Sequence, residues 1–185
     1  MFSNPIARTM AVAALVTAAA ACGGRQGEAA PAQQAPAQPA APPAAEAMTA
    51  EQVALNNALP ANAPTIQVYK SPTCGCCSNW VTHMLRSGVR VEAHDQADVT
   101  PIKDQAGVPV QARSCHTGLI GGYAIEGHVP ADVIKRLLAE HPSDVAGLAV
   151  PGMVSGSPGM DGPDPQHYDV IAFTKDGHTR VYASR

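Results

Sequence analysis

The chain has 185 residues with 12 basic against 15 acidic side chains, a formal net charge of −3. Charged residues are only 15% and no block of like charge occurs, which excludes a nucleic-acid binder held by a basic patch and, equally, an acidic tail. No apolar run reaches the roughly 18 residues a bilayer span requires, whereas five Cys and seven His beside one Trp mark an unusual donor inventory.

Residues 1–22 carry Arg8, then an apolar stretch from Met10 to Ala21, then Cys22 after a run of alanines. This resembles a bacterial lipoprotein signal, in which the Cys becomes the lipidated first residue of the mature chain. Ala19 stands where Leu is preferred, so ordinary cleavage after Ala18-Ala19-Ala20 is the alternative. Either route places the mature protein outside the cytoplasm, where oxidised thiols persist. Gly23, not Asp, follows the Cys, so the expected destination is the periplasmic side of the outer membrane, on a lipid anchor at Cys22.

Residues 23–47 offer no apolar side chain larger than Ala. They are expected to be a disordered, partly polyproline spacer, and the whole of 23–64 reads as an Ala/Pro/Gln-rich linker. Within it, 48–59 predicts a short helix with Thr49 as N-cap and Gln52 at the capping-box position. The folded domain is expected over 65–185.

TIQVYK (65–70) alternates as a strand, and 71–88 reads as a loop opening into a helix stopped by Gly88. VRVEAHD (89–95) is a second strand, and 99–106 a short helix with Pro101 in its first turn. Thr117–Ile120 and Tyr123–Glu126 flank Gly121-Gly122, a hairpin signal. The helix over 130–142 has Pro130 at N1, an apolar stripe of Val133, Ile134, Leu137 and Leu138, and Pro142 at its end. A Gly/Pro/Met-rich loop (147–165) then leads to a terminal hairpin turning at Asp176-Gly177. The order β-α-β-α-β-β-α with a C-terminal β-hairpin is that of an α/β, thioredoxin-like fold. Gly107-Val108-Pro109 falls where that fold places a cis-proline.

The chemistry lies in Cys74-Gly75-Cys76-Cys77, three thiols at a strand-to-helix junction. The helix N-terminus lowers thiol pKa. Three neighbouring thiolates repel unless a cation lies among them, which favours a soft metal over a bare dithiol. Convergence requires that Cys74 or Cys76 precede the helix. In a thioredoxin-like arrangement Cys115 and His116 face these cysteines. Two other readings stay open: catalytic thiol–disulfide exchange through Cys74 and Cys77, and structural disulfides such as 74–77 with 76–115.

Met153 and Met160 repeat a Pro-Gly-Met unit outside any periodic apolar segment. Thioethers suit Cu(I) and not Zn(II), so the pair turns the expected metal toward copper, against a packing role under the loop. His128, in Gly-His-Val-Pro, is a candidate ligand or helix cap. His83 is expected to face solvent, and His94, His141, His167 and His178 to lie at the surface. Trp80 and Met84 are expected in the core.

The runs VYKSPTCGCCSNW, SCHTGLIGGYAIEGHVPADVIKRLL and GLAVPGMVSGSPGM together resemble the CopG-like copper-resistance proteins of bacterial periplasms, over about residues 66–183. That resemblance implies a thioredoxin-like fold, copper in a thiolate-bridged cluster at Cys74, Cys76, Cys77 and Cys115 with His116 adjacent, and a role in copper tolerance through Cu(I)/Cu(II) interconversion. The expected partners are copper ions and a periplasmic copper-handling or redox protein, with nucleic acid excluded by the charge pattern above. Val154 departs from the Pro usual in the family's P-G-M-P segment, a change that removes no donor.

Overall fold

The computed structural model describes residues 48–185. The signal segment, Cys22 and the linker up to residue 47 lie outside the described residues. No helix among those described is long and apolar enough to cross a membrane.

Helix α1 (Ala50–Ala58) begins at Thr49, whose hydroxyl accepts from the Gln52 amide while the Gln52 side chain accepts from the Thr49 N–H, the reciprocal capping expected. The same Gln52 is buried and donates from Nε2 to the Ser78 carbonyl, the Ser78 hydroxyl and the Thr82 hydroxyl at 2.8–3.1 Å. One polar side chain thus caps its own helix and ties it to the next.

Strand β1 (Thr65–Lys70), helix α2 (Gly75–Arg86) and strand β2 (Arg90–Asp95) form a β-α-β unit whose strands pair in parallel, Ile66 beside Val91 and Val68 beside Ala93. Helix α3 (Thr100–Gln105) follows, with Pro101 in its first turn as expected, and then a 3₁₀ turn at Val110–Ala112 that the sequence reading did not anticipate. Strands β3 (Thr117–Ile120) and β4 (Tyr123–Glu126) make the expected hairpin. Its turn needs left-handed backbone at both central positions, φ 57° at Gly121 and 85° at Gly122, which side chains with a Cβ adopt only under strain. Strand β3 also runs antiparallel to β1, so the sheet grows outward from β1 in both directions.

Helix α4 (Ala131–Glu140) carries the predicted stripe, with Val133, Ile134 and Leu137 buried and Leu138 partly so. Pro130 is its N-cap and not its first helical residue, because its ψ of 141° is still extended. The segment 147–165 is not wholly a loop: Gly147–Ala149 form strand β5, parallel to β4 and antiparallel to β6 (Asp169–Phe173). Strand β7 (Thr179–Ser184) closes the expected terminal hairpin with β6, across a register irregularity at Val170/Ile171. The result is a mixed α/β unit on a seven-stranded sheet of order β2-β1-β3-β4-β5-β6-β7.

Side chains alternate between faces along each strand. Ile66, Val68, Val91, Ile125, Leu148 and Val170 point into the main core with Trp80, Val81 and Met84 of α2 and the stripe of α4. Trp80 and Met84 are fully buried, as the sequence reading expects. The opposite face holds a smaller cluster of Val108, Ala112, Ala124, Ala149 and Phe173. Burial at about 25 cal/mol per Å2 of apolar surface holds α2 against the sheet, and the position of α2 fixes where its N-terminus, with the cysteines, must lie.

Candidate metal centre

Cys74 is the N-cap of α2, with extended backbone (φ −81°, ψ 95°), and its Sγ accepts from the Cys77 N–H at 3.4 Å. Having one cysteine ahead of the helix is the condition that lets the three converge. Cys74 and Cys77 are joined as a disulfide; Cys76 and Cys115 are free thiols, so the second bond of the structural-disulfide reading is absent. Cys76 Sγ lies 3.5 Å from Cys74 Sγ. The Sγ atoms of Cys74, Cys76, Cys77 and Cys115 all fall within 4.8 Å of one another, so the distant Cys115 does face the motif.

Cys115 belongs to a second group as well. Its Sγ is 3.2 Å from His116 Nδ1 and 3.1 Å from His128 Nε2, and these three donors also lie within 4.8 Å of one another. His128 is half fixed already: its Nδ1–H donates to the Pro158 carbonyl at 2.8 Å, which leaves the Nε2 lone pair directed at sulfur. It therefore caps no helix. His116 is fully buried, tilted against the Trp80 ring at 4.5 Å, and its Nε2 is a buried polar atom without a partner. Trp80 itself is anchored by donating from Nε1 to the Val129 carbonyl at 2.9 Å.

Burial sets the protonation states. It pushes the Cys115 thiol up to about 11, so this sulfur is protonated near neutrality until something replaces the proton. Burial holds His116 well below the usual imidazole range, with the neighbouring His128 and Lys103 adding to the shift, and it lowers His128 too. Both rings are thus neutral, the form that ligates metals. The free thiols of Cys76 and Cys115 and the neutral rings of His116, through Nδ1, and His128, through Nε2, form the donor set, which Cys74 and Cys77 join when their disulfide is reduced. Such a Cys/His group could hold a soft or borderline metal ion.

The Met-bearing loop sits on this centre. Gly159 packs so closely on α2 that a Cβ there would stand 2.7 Å from the Cys76 carbonyl oxygen and 2.7 Å from the Trp80 nitrogen. Its neighbour Pro158 supplies the carbonyl that orients His128. Met153 is 51% exposed, at the surface, and Met160 is partly buried.

Two histidines differ from expectation. His83 does not face solvent: its Nε2 accepts from the Ala131 N–H at 3.1 Å, capping α4 from α2, and burial lowers its pKa. His94 is not a free surface ring but stacks on Tyr69 at 4.9 Å with its Nε2 buried and unpartnered. His141, His167 and His178 are exposed, as expected.

Sequence reasoning missed the support behind Cys115. Glu126 and Lys103 are both buried and paired at 2.6 Å. One glutamate oxygen also accepts from the Ser114 N–H at 2.6 Å, the other from the Thr117 hydroxyl at 2.7 Å. Glu126 reads as one more strand residue in sequence; only its register partner, Thr117, brings it to the cysteine segment.

A family model described as "Protein of unknown function, DUF411" matches residues 112–160, the stretch holding Cys115, His116, His128 and both loop methionines. Nothing among the curated proteins matches the chain. Among solved structures the chain is similar to "Copper resistance protein copG- Form 2", with 41% identity, a TM-score of 0.62, and coverage of 66% of this chain and 98% of that one. It is also similar to "Copper resistance protein copG- Form 1", with 42% identity, a TM-score of 0.62, and coverage of 65% and 96%.

Proposed function

The chain belongs to the CopG-like copper-resistance family, and on that premise we propose that it binds copper through Cys74, Cys76, Cys77 and Cys115, with His116 and His128 completing the donor set. The observation that carries this is the gathering of four sulfurs within 4.8 Å, with Cys115 shared by a second group of two imidazoles. Copper is the cargo, and its Cu(I)/Cu(II) interconversion is the redox chemistry it brings. Copper ligation by all four cysteines requires that an external dithiol first reduce the Cys74–Cys77 bond, itself being oxidised to a disulfide. The chain's part is then to present thiolates and neutral rings and to release the Cys115 proton on binding. His128, held at Nδ1 by Pro158, needs no reorientation. Met153 and Met160 add thioether donors selective for Cu(I). The parallel β-α-β unit beside an antiparallel hairpin, with cysteines opening the first helix, supports a thioredoxin-like reading of the fold. Residues 1–22 support a periplasmic, Cys22-anchored location, and copper-handling partners there.

The Cys74–Cys77 disulfide favours a second reading, thiol–disulfide exchange. Cys74 is partly exposed and Cys77 fully buried, so an external thiolate would attack Cys74 Sγ and release Cys77. Cys76 and Cys115 have no part in that chemistry. Metal content and thiol count on protein purified under reducing conditions without chelator separate the two. Copper binding with four protected thiols, reduced in Cys115→Ser while the fold is kept, is expected. A metal-free protein with a reducible 74–77 bond, or copper content and thiolate charge-transfer bands unchanged in Cys115→Ser, would overturn the copper reading.

A further inference from the structure

Glu126 is fully buried on β4, and Lys103 of α3 is nearly so. Burying two charges costs several kcal/mol each before they pair, and an apolar pair of similar volume is often as stable. A sheet end that needed only packing has no use for this arrangement. The hydrogen bonds indicate what it does instead. Glu126 accepts from Lys103 Nζ, from the Ser114 N–H and from the Thr117 hydroxyl, and Lys103 also donates to that hydroxyl at 3.1 Å. Ser114 and Thr117 bracket Cys115 and His116. The Gly127 N–H, next to Glu126, donates to the His116 carbonyl at 3.0 Å. The Ser114 hydroxyl donates to the Gly152 carbonyl, and the Gly152 N–H to the Arg113 carbonyl at 3.2 Å. Among the described residues, only the Glu126 carboxylate grips both sides of the Cys115-His116 pair.

We propose that Glu126 and Lys103 are positioning residues that clamp Ser114 and Thr117 so that Cys115 Sγ and the His116 ring face the α2 cysteines. The proposal rests on the copper reading above. Neither residue touches the donor atoms; they act through the backbone that carries them. Lys103 makes the carboxylate affordable in the interior and places a positive charge near the sulfur.

The test is the double variant Lys103→Met with Glu126→Leu, which removes both charges together and leaves no unpaired ion. Its melting temperature is expected to stay close to wild type. Cu(I) affinity, by competition with a colorimetric Cu(I) chelator, is expected to fall at least tenfold. In a Cys115→Ser background the same double change should cost distinctly less affinity than in the wild type, because the clamp then has only the His116 ring to place. A purely structural pair would leave wild-type affinity intact, and that result overturns the proposal. So does an equal loss in both backgrounds. Amide exchange at Gly127 reads the clamp without copper: it is expected to accelerate at least tenfold, and an unchanged rate overturns the proposal even if the parent protein binds no copper. If the double variant does not fold, E126Q, which keeps volume and one acceptor oxygen, is read by the same criteria.

Discussion

Gly159→Ala tests whether the Met-bearing loop is part of the metal centre. Gly159 has φ +83°, and an added Cβ meets the Cys76 carbonyl oxygen and the Trp80 nitrogen, both at 2.7 Å, and Trp80 Cα at 3.1 Å. All three are backbone atoms of α2, so none can rotate away. Left-handed backbone costs a residue with a Cβ about 1–2 kcal/mol, and forcing extra volume into a packed contact about 1–3 kcal/mol. If the loop stays seated, the sum is about 2–5 kcal/mol, which for a domain of this size lowers the melting temperature by roughly 8–20 °C. If the loop lifts instead, the melting temperature falls less, but Pro158 withdraws its carbonyl from His128 Nδ1. The imidazole then loses its orientation, and Cu(I) affinity should fall about tenfold, or about 1.4 kcal/mol. Differential scanning fluorimetry and a chelator competition together cover both routes. A melting temperature within about 2 °C of wild type together with unchanged affinity would refute the seating of this loop on α2.

The other predictions concern three separate groups. Burial depresses the pKa of His83 against the raising influence of Asp132 and Asp161. The unfolded chain therefore takes up a proton there first, and the stability supplied by the His83 cap is full above about pH 6.5 and declines as pH falls through the lowered folded value. His83→Gln keeps an acceptor for the Ala131 N–H without titrating, so the urea-midpoint difference between wild type and variant should shift against wild type from pH 7.5 to 5; a constant difference refutes the cap. Replacing Met153 and Met160 together by Leu keeps apolar volume, and Cu(I) affinity should fall by about one to two decades, or about 1.4–2.8 kcal/mol, while Zn(II) affinity holds. Unchanged Cu(I) affinity would reduce the donors to cysteine and histidine. Cys22→Ala should release the protein from the membrane fraction of a Gram-negative host, and equal membrane association of both forms would end the lipoprotein reading.

What the sequence disclosed and what it hid follow from the range of the forces involved. The Thr49/Gln52 capping box, the Gly121-Gly122 turn and the α4 stripe are local, set by residues within a few positions of each other, and each is visible as a pattern. Cys115 opposite the α2 cysteines was legible only because the order of elements constrained where its segment could go. Strand β5 was not legible: three buried residues between two partners show neither alternation nor length. The pairing of Lys103 with Glu126, and of His83 with the Ala131 N–H, joins residues far apart in the chain. Nothing in their neighbourhoods distinguishes them from an ordinary helix lysine, strand glutamate and surface histidine.

The shared position of Cys115 has a mechanical consequence. The donors come from the α2 N-terminus, the segment before β3 and the segment before α4, and the 74–77 bond, internal to the first, ties none of these to another. An ion held by all three would act as a reversible cross-link, closing a loop of several tens of residues in the unfolded chain. Loop closure of that length restricts the unfolded ensemble by about 4 kcal/mol in the chain-entropy model. Loading would then show as resistance to denaturation, graded with free copper by mass action. Proteases that sample opened chains would then remove the empty protein first, and the protein's lifetime would lengthen with the metal available to it.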